Sequence, residues 1–165
     1  MCGLQYVGSD IGGFSLNTTR ELLLRWLALG VFTPLMRNHA ANTAKHQECY
    51  LFENLEDFRS VIGLRYMLLP YIYSEYVKAV LSGEPLVKPL AFMYPDDEIA
   101  VKCEDELMFG NEVIIAPFYK KGEKTRKVYL PEDMLQIDYA YGKLSETKVS
   151  KGEHLITADV GEIVF

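Results

Sequence analysis

Cysteine is scarce in this 165-residue chain, and its placement argues against two common kinds of site. The three cysteines, Cys2, Cys49 and Cys103, are odd in number and widely spaced, which does not suit a disulfide framework. No cysteine pair stands at zinc-ligand spacing with a histidine, so we expect no metal site. A sparse set of cysteines favours a reducing compartment, and the sequence therefore predicts a cytoplasmic protein.

Long apolar runs and excess positive charge are also lacking. No segment approaches the roughly 18 unbroken apolar residues of a membrane span. The net charge of −6 argues against nucleic acid or an anionic membrane as a partner, because both select basic surfaces. The single Gly12-Gly13 pair fits neither a P-loop nor a dinucleotide fingerprint, which disfavours a phosphate-binding α/β domain. A hydrophobic content of 49% nevertheless supports a packed core.

Two apolar runs near the start of the chain each end in polar side chains. The first run predicts a strand over Leu4–Val7, and Asp10 follows it. The second predicts a strand over Val31–Met36, and Arg37 and His39 follow it. A strand, a helix and a second strand in this order are typical of a β/α barrel, in which groups at the carboxyl ends of strands face the substrate.

The segment between these strands has the signals of a helix. Thr18 and Glu21 stand at the spacing of a capping box, and Gly30 is expected to end the helix in the left-handed conformation. Residues 38–54 then form a long polar loop, and loops of this length inside a compact domain are often functional.

In the rest of the chain, a helical pattern of apolar residues gives way to short β-type runs. A second helix is predicted from Leu55 to Ser82, kinked or divided at Pro70 and stopped by Gly83. From about residue 85 short β-rich runs alternate with turns, which predicts an antiparallel β-sandwich. The predicted strands are Leu86–Tyr94, Glu112–Pro117, Lys127–Leu130, Leu135–Tyr139 and Leu155–Phe165. The basic run over residues 120–127 is interpreted as a solvated hairpin.

The side chains at the two amino-terminal strand ends suit a sugar. Asp10 can accept two hydroxyl hydrogen bonds, and its charge makes each roughly twice as strong as a neutral bond. Phe14 offers an aromatic face to the apolar side of a pyranose ring, and His39 can donate to a hydroxyl. The planar guanidinium of Arg37 can hold neighbouring carboxylates in place.

Each of these residues also has a simpler explanation. The Asp10 side chain can equally close an Asx-turn on the glycine amides that follow it. Phe14 alone suits a core position, Arg37 a structural ion pair, and His39 a hydrogen-bonded structural role. The sugar-site hypothesis therefore rests on the combination of the four residues.

These runs, in this order and spacing, resemble the seventh and eighth barrel strands of glycoside hydrolase family 31, the α-glucosidase family. The shared signature is an Asp-Ile-Gly-Gly-Phe loop followed by an Arg-Trp…Gly…Phe-x-Pro…Arg-x-His run. The resemblance continues through Gln47-Glu48, Arg65-Tyr66-x-Leu-x-Pro70-Tyr71, Gly110-x-x-x-Ile114-Ile115-Ala116-Pro117 and Tyr129-Leu130-Pro131. The chain departs from the family at Ala28, where Gln is frequent, and over residues 132–138, where a Trp-Tyr-Asp segment is common.

The resemblance implies an α/β fold joined to an all-β fold. Residues 1–83 would be the last two β/α units of a (β/α)8 barrel, and residues 84–165 a truncated β-sandwich domain. Asp10, Phe14 and His39 would bind substrate, with Arg37 supporting them and no cofactor. The open barrel edges would lead the isolated chain to form a homo-oligomer.

The resemblance also implies which chemistry this chain does not supply. Retaining glycosidases need two carboxylates about 5 Å apart, and in the family these follow strands four and six. A chain that begins near strand seven would contain no catalytic residue. We therefore expect part of a retaining α-glucosidase that hydrolyses terminal α-linked glucose from oligosaccharides. The alternative is a non-catalytic carbohydrate-binding or interaction module.

Overall fold

The computed structural model describes residues 4–165 and opens with a strand, a helix and a strand. Strands β1 (Asp10–Ile11) and β2 (Arg37–Asn38) pair in parallel, with Asp10 opposite Arg37. Helix α1 (Arg20–Gly30) makes the crossover that two parallel strands require. This order confirms the predicted β/α unit. Of the three cysteines, Cys2 lies outside the described residues.

Both strands lie further along the chain than predicted, and neither Leu4–Val7 nor Val31–Met36 is a strand. The second strand begins later because the chain leaves α1 in turns: the amides of Val31, Phe32 and Thr33 donate to carbonyl oxygens of the helix. Arg65, on the long helix that follows, binds the same segment. Its guanidinium donates to the carbonyl oxygens of Val31 and Thr33, each at 2.7 Å, and to that of Pro34 at 3.1 Å. These hydrogen bonds hold the segment in its turn conformation.

The ends of α1 also differ from the prediction. The N-cap is Thr19 rather than Thr18, because the Thr19 hydroxyl accepts from the Leu22 amide at 3.2 Å. Gly30 is the last helical residue and does not take the left-handed conformation. A Cβ on Gly30 would lie 2.7 Å from Cδ1 of Ile11, so the helix packs closely against β1 at this position.

Helix α2 (Leu55–Ser82) has the predicted bounds but is not divided, because it runs without interruption through Pro70. Gly83 ends it with φ +75°, the left-handed conformation that glycine adopts at little cost. The loop before α2 contains a short 3-10 helix, Cys49–Leu51. Within residues 4–165, no helix combines the length and apolar character needed to cross a membrane.

The remaining elements are eight strands and two short helices. They are β3 (Val87–Pro89), α3 (Leu90–Met93), α4 (Glu98–Lys102), β4 (Leu107–Phe109), β5 (Val113–Ile115), β6 (Thr125–Leu130), β7 (Met134–Ala140), β8 (Lys143–Val149), β9 (Gly152–Thr157) and β10 (Glu162–Val164). Three antiparallel sheets result, with strand orders β3-β4-β5, β6-β9 and β10-β7-β8. The arrangement confirms the predicted antiparallel architecture of this half.

Several predicted strands are corrected in detail. The run Leu86–Tyr94 contains only β3, because helix α3 follows it directly. Strands β4 and β8 were not predicted; β8 is polar and largely exposed along its length, so it lacks an apolar alternation. Tyr141 and Gly142, with φ of +50° and +81°, form the turn between β7 and β8.

The basic run over residues 120–127 is not a hairpin, because β6 pairs with β9 instead of with β5. The run packs against α1. The Gly122 amide donates to the Glu21 carboxylate at 2.6 Å, and the Arg25 guanidinium donates to the Glu123 carbonyl at 2.7 Å. Glu21 is therefore engaged with the sheet half of the molecule and does not complete a capping box.

The core is continuous across the barrel-like and β-rich halves. Phe32, which follows α1, packs against Phe109 of β4 and Phe165 at ring-centroid distances of 6.4 and 5.6 Å. Phe58 of α2 and Leu24 of α1 are fully buried in the same cluster. The two halves therefore share apolar side chains as well as polar contacts.

Arg25→Lys is expected to lower the free energy of unfolding by about 2 kcal/mol. The Arg25 side chain is only 10% exposed, and its guanidinium bridges the carbonyls of Phe118 and Glu123 while also binding Glu21. A lysine ammonium cannot reproduce this planar fork. Urea unfolding of both proteins measures the loss. Arg59→Lys is the matched control, since Arg59 forms an exposed pair within α2; an equal loss in that variant would contradict the prediction.

Candidate functional site

The parallel pairing of β1 and β2 brings two of the predicted site residues together. Asp10 and Arg37 are register partners, and Arg37 Nη2 lies 2.5 Å from Asp10 Oδ1. The two side chains are 28% and 53% exposed, so this ion pair contributes at most about 1 kcal/mol to stability. Its main effect is to orient the Asp10 carboxylate, whose second oxygen points to no partner within the described chain.

The other two predicted residues form an aromatic pair beside that ion pair. The rings of Phe14 and His39 lie 5.5 Å apart, centroid to centroid, with 34° between their planes. The Ala41 amide donates to the Phe14 carbonyl at 2.8 Å and fixes the two loops side by side. Phe14 is 47% exposed, which excludes the simpler explanation that it is a core residue.

The alternative role for Asp10 also fails. The Gly13 amide donates to the backbone carbonyl of Asp10, at 2.9 Å, and the Asp10 side chain is engaged with Arg37. The Asp10 carboxylate is therefore not used to close an Asx-turn. Gly12 and Gly13 have φ of +91° and +89°, a region that residues with a Cβ rarely adopt, so the turn after β1 depends on glycine.

One site residue, Gln47, was given no role by the sequence. It is 5% exposed, and its amide nitrogen donates to the carbonyls of Ile11 and His39 and to the Asn38 side chain. The only sequence signal was its place in the Gln47-Glu48 pair within the long polar loop. A glutamine in a polar loop is usually exposed, so its burial came from the tertiary structure.

The predicted sugar-site residues lie on an open edge of the molecule. A cavity of about 560 Å³ lies within the β-rich half, lined by residues of β5, β6, β7 and β10, but none of the four predicted residues lines it. Asp10, Phe14 and His39 thus form one side of a site that residues 4–165 do not enclose.

A separate group of side chains has the donor types of a metal site. Ligand atoms of Cys103, Asp105 and Glu106 lie within 4.8 Å of one another. Arg126, however, already pairs with Asp105, with Nη2 2.8 Å from Oδ2. Burial raises the pKa of the Glu106 carboxyl and of the Cys103 thiol, which favours their protonated forms. We therefore assign this group no metal.

Comparison with known proteins identifies the family of both halves. Residues 1–75 match the family model described as the glycosyl hydrolases family 31 TIM-barrel domain, and residues 83–163 match that of the glycosyl hydrolase family 31 C-terminal domain. Alpha-glucosidase 2 of Bacillus thermoamyloliquefaciens is 39% identical over 162 residues, 97% of this chain and 20% of that protein. Alpha-glucosidase of Hordeum vulgare is 35% identical over 90% of this chain and 17% of its own length.

Solved structures give the same result. The Tris-bound glucosidase II alpha subunit superposes with a TM-score of 0.83 at 28% identity, covering 98% of this chain and 18% of that chain. The cycloalternan-forming enzyme of Listeria monocytogenes, in complex with a pentasaccharide substrate, also has a TM-score of 0.83, at 27% identity, over 98% of this chain and 16% of its own. The chain thus spans about a fifth of the length of the curated relatives it matches. It belongs to glycoside hydrolase family 31.

Proposed function

We propose that this chain is part of a retaining α-glucosidase and that it supplies substrate-binding residues to the active site. Residues 1–83 would form part of the catalytic barrel, and residues 84–165 the β-sandwich domain beside it. The observation that carries the proposal is the parallel register of β1 and β2, which places the loop of Asp10 next to the loop of His39. Relatives that are named alpha-glucosidases support the same reaction class.

The chemistry proposed for the four residues follows from their geometry. Arg37 holds one oxygen of the Asp10 carboxylate, and the free oxygen accepts from sugar hydroxyls. Phe14 stacks on His39, so the histidine ring stays at the rim where its N–H donates to a further hydroxyl. In a retaining mechanism the nucleophile and the general acid are two other carboxylates, about 5 Å apart. Asp10 would bind substrate without reacting.

Asp10→Ala is expected to lower kcat/KM of the complete enzyme by about 10- to 100-fold, because a hydrogen bond to a charged group contributes about 1.5–3 kcal/mol. His39→Ala is expected to lower it by about 2- to 10-fold, because a hydrogen bond from an imidazole N–H to a hydroxyl contributes about 0.5–1.5 kcal/mol. Bonds that strengthen in the transition state should lower kcat as well as raise KM. Steady-state kinetics with maltose measures both constants. The Asp10 side chain is 28% exposed and His39 is exposed, so thermal unfolding should change little. Wild-type kinetics in either variant would remove that residue from the site.

A non-catalytic carbohydrate-binding or interaction module is the competing proposal. The complete polypeptide would then bind glucose or maltose through Asp10 and His39 but would release no glucose. Calorimetric titration with maltose, run beside the kinetic assay, separates the two proposals. The cytoplasmic location stays a prediction.

A further inference from the structure

We infer that Gln47 is a positioning residue, which sets the spacing between the loop carrying Asp10 and Phe14 and the loop carrying His39. The side chain does not reach the open face of the site, because Gln47 is only 5% exposed. The effect of Gln47 on catalysis rests on the proposed function, whereas its effect on the spacing of the two loops does not. The two effects can be measured separately.

The Gln47 amide continues the strand pairing at the point where the strands stop. The pairing of β1 with β2 ends at Ile11 opposite Asn38. Beyond it, Gln47 Nε2 donates to the Ile11 carbonyl at 2.8 Å and to the His39 carbonyl at 3.2 Å. One side-chain nitrogen thus connects the backbone after Asp10 with the backbone of His39 itself.

Asn38 completes this connection. Gln47 Nε2 lies 2.7 Å from Asn38 Oδ1, and Asn38 Nδ2 donates in return to the backbone carbonyl of Gln47 at 2.9 Å. An amide nitrogen has two hydrogens, so three acceptors around it mean that one hydrogen is shared. The orientation of the Gln47 amide is fixed by this arrangement, since its oxygen would repel all three acceptors.

The backbone after β1 also packs closely against the Gln47 amide. A Cβ on Gly12 would lie 2.8 Å from Gln47 Nε2, so the turn after β1 passes directly over the amide. The positive φ of Gly12 brings the backbone into this position. A glycine, a buried amide and two carbonyls therefore define the distance between the two loops.

The other contacts between the loops involve partly exposed residues. They are the Asp10–Arg37 ion pair, the Phe14–His39 ring pair and the hydrogen bond from the Ala41 amide to the Phe14 carbonyl, and β1 and β2 are only two residues long. Gln47 adds a buried polar link between the loops, and buried hydrogen bonds resist rearrangement more than exposed ones. Loss of the Gln47 amide should therefore shift the loops relative to each other. A misplacement of about 1 Å in a binding group can cost about 100-fold in rate.

The first test uses the 165-residue chain itself and needs no enzymatic activity. The Phe14 ring should shift the carbon-bound imidazole protons of His39 upfield in NMR spectra, and Phe14→Leu gives the unshifted position. Gln47→Met is expected to move the His39 signals most of the way to that position. Wild-type His39 shifts in Gln47→Met would overturn the inference.

A matched control exists in Gln5. Its amide also bridges distant segments, with Nε2 2.8 Å from the Glu84 carbonyl and Oε1 2.9 Å from the Leu86 amide, but it does not contact either loop. Gln5→Met should leave the His39 signals unchanged. If Gln47→Met does not fold, Gln47→Asn takes its place, because it keeps a polar amide that is one methylene too short to reach all three acceptors.

The second test measures kinetics in the complete enzyme. Gln47→Met is expected to lower kcat/KM by about 10- to 100-fold, with Gln5→Met close to the wild type. Gln47→Glu should recover part of this loss as the pH falls, because the protonated carboxyl regains one donor. Thermal unfolding of the variant over the same pH range separates this recovery from a recovery of folding. Wild-type kinetics in Gln47→Met would refute the positioning role. An inactive wild type would instead refute the proposed function and leave the NMR result to decide on Gln47.

Discussion

The 165-residue chain alone is expected to release no measurable glucose from maltose. A retaining glycosidase places a nucleophile and a general acid on opposite sides of the scissile bond, about 5 Å apart. Asp10 is one carboxylate, and one of its oxygens is 2.5 Å from Arg37 Nη2. It cannot act as nucleophile and acid at once, and the family resemblance assigns both roles to strands that precede β1 in the barrel.

The measurement is glucose release at high protein concentration over many hours. The complete enzyme serves as the positive control, and Asp10→Ala in the isolated chain corrects for traces of contaminating glycosidase. Clear glucose release by the pure chain that Asp10→Ala abolishes would contradict the prediction. It would mean that Asp10 performs chemistry in addition to binding, and the role proposed for it would be wrong.

The register of the two amino-terminal strands shows what sequence order alone can predict. Strand, helix and strand in sequence are enough to place Asp10 beside Arg37, because parallel neighbours bring their carboxyl ends to one edge. The strand limits were not predictable, since apolar character marks Val31–Met36 as a strand. Its carbonyls instead bind Arg65, which lies more than 30 residues away in the sequence.

The glycines illustrate the same division between local and tertiary causes. Gly83 ends α2 in the left-handed conformation, as its position after an apolar helical repeat predicts. Gly30 looks similar in sequence, yet it remains the last helical residue of α1, with the Ile11 side chain packed closely against it. A local pattern predicts a conformation, but it cannot reveal close packing against another element.

The site also contains residues that the local sequence predicts and one residue that it does not. Types of side chain at strand ends were sufficient to select Asp10, Phe14, Arg37 and His39, and the structure brings all four to one edge. Gln47 could not be selected, because the three acceptors of its amide, on Ile11, Asn38 and His39, come together around it only in the folded chain. Whether the four residues bind sugar stays a prediction.

The isolated chain is also expected to associate, most simply as a twofold dimer. Helix α2 carries an exposed apolar stripe at helical spacing, formed by Tyr66, Leu69, Tyr73 and Val77. Leu4, Tyr6 and Val7 add exposed apolar surface near the amino end of the same half. Soluble monomers rarely expose a contiguous apolar patch beyond a few hundred Å².

A twofold arrangement would cover this surface with the same surface of a second copy, which is the commonest solution among soluble oligomers. Light scattering at micromolar concentration should therefore give about twice the monomer mass. The double variant Tyr66→Glu, Tyr73→Glu should restore the monomer, because each substitution places a charge in the apolar stripe that the dimer would bury. Leu155→Glu is the matched control, since Leu155 is 69% exposed on β9 and lies outside the stripe. A monodisperse monomer with sharp thermal unfolding would show that the stripe is tolerated in water without a partner.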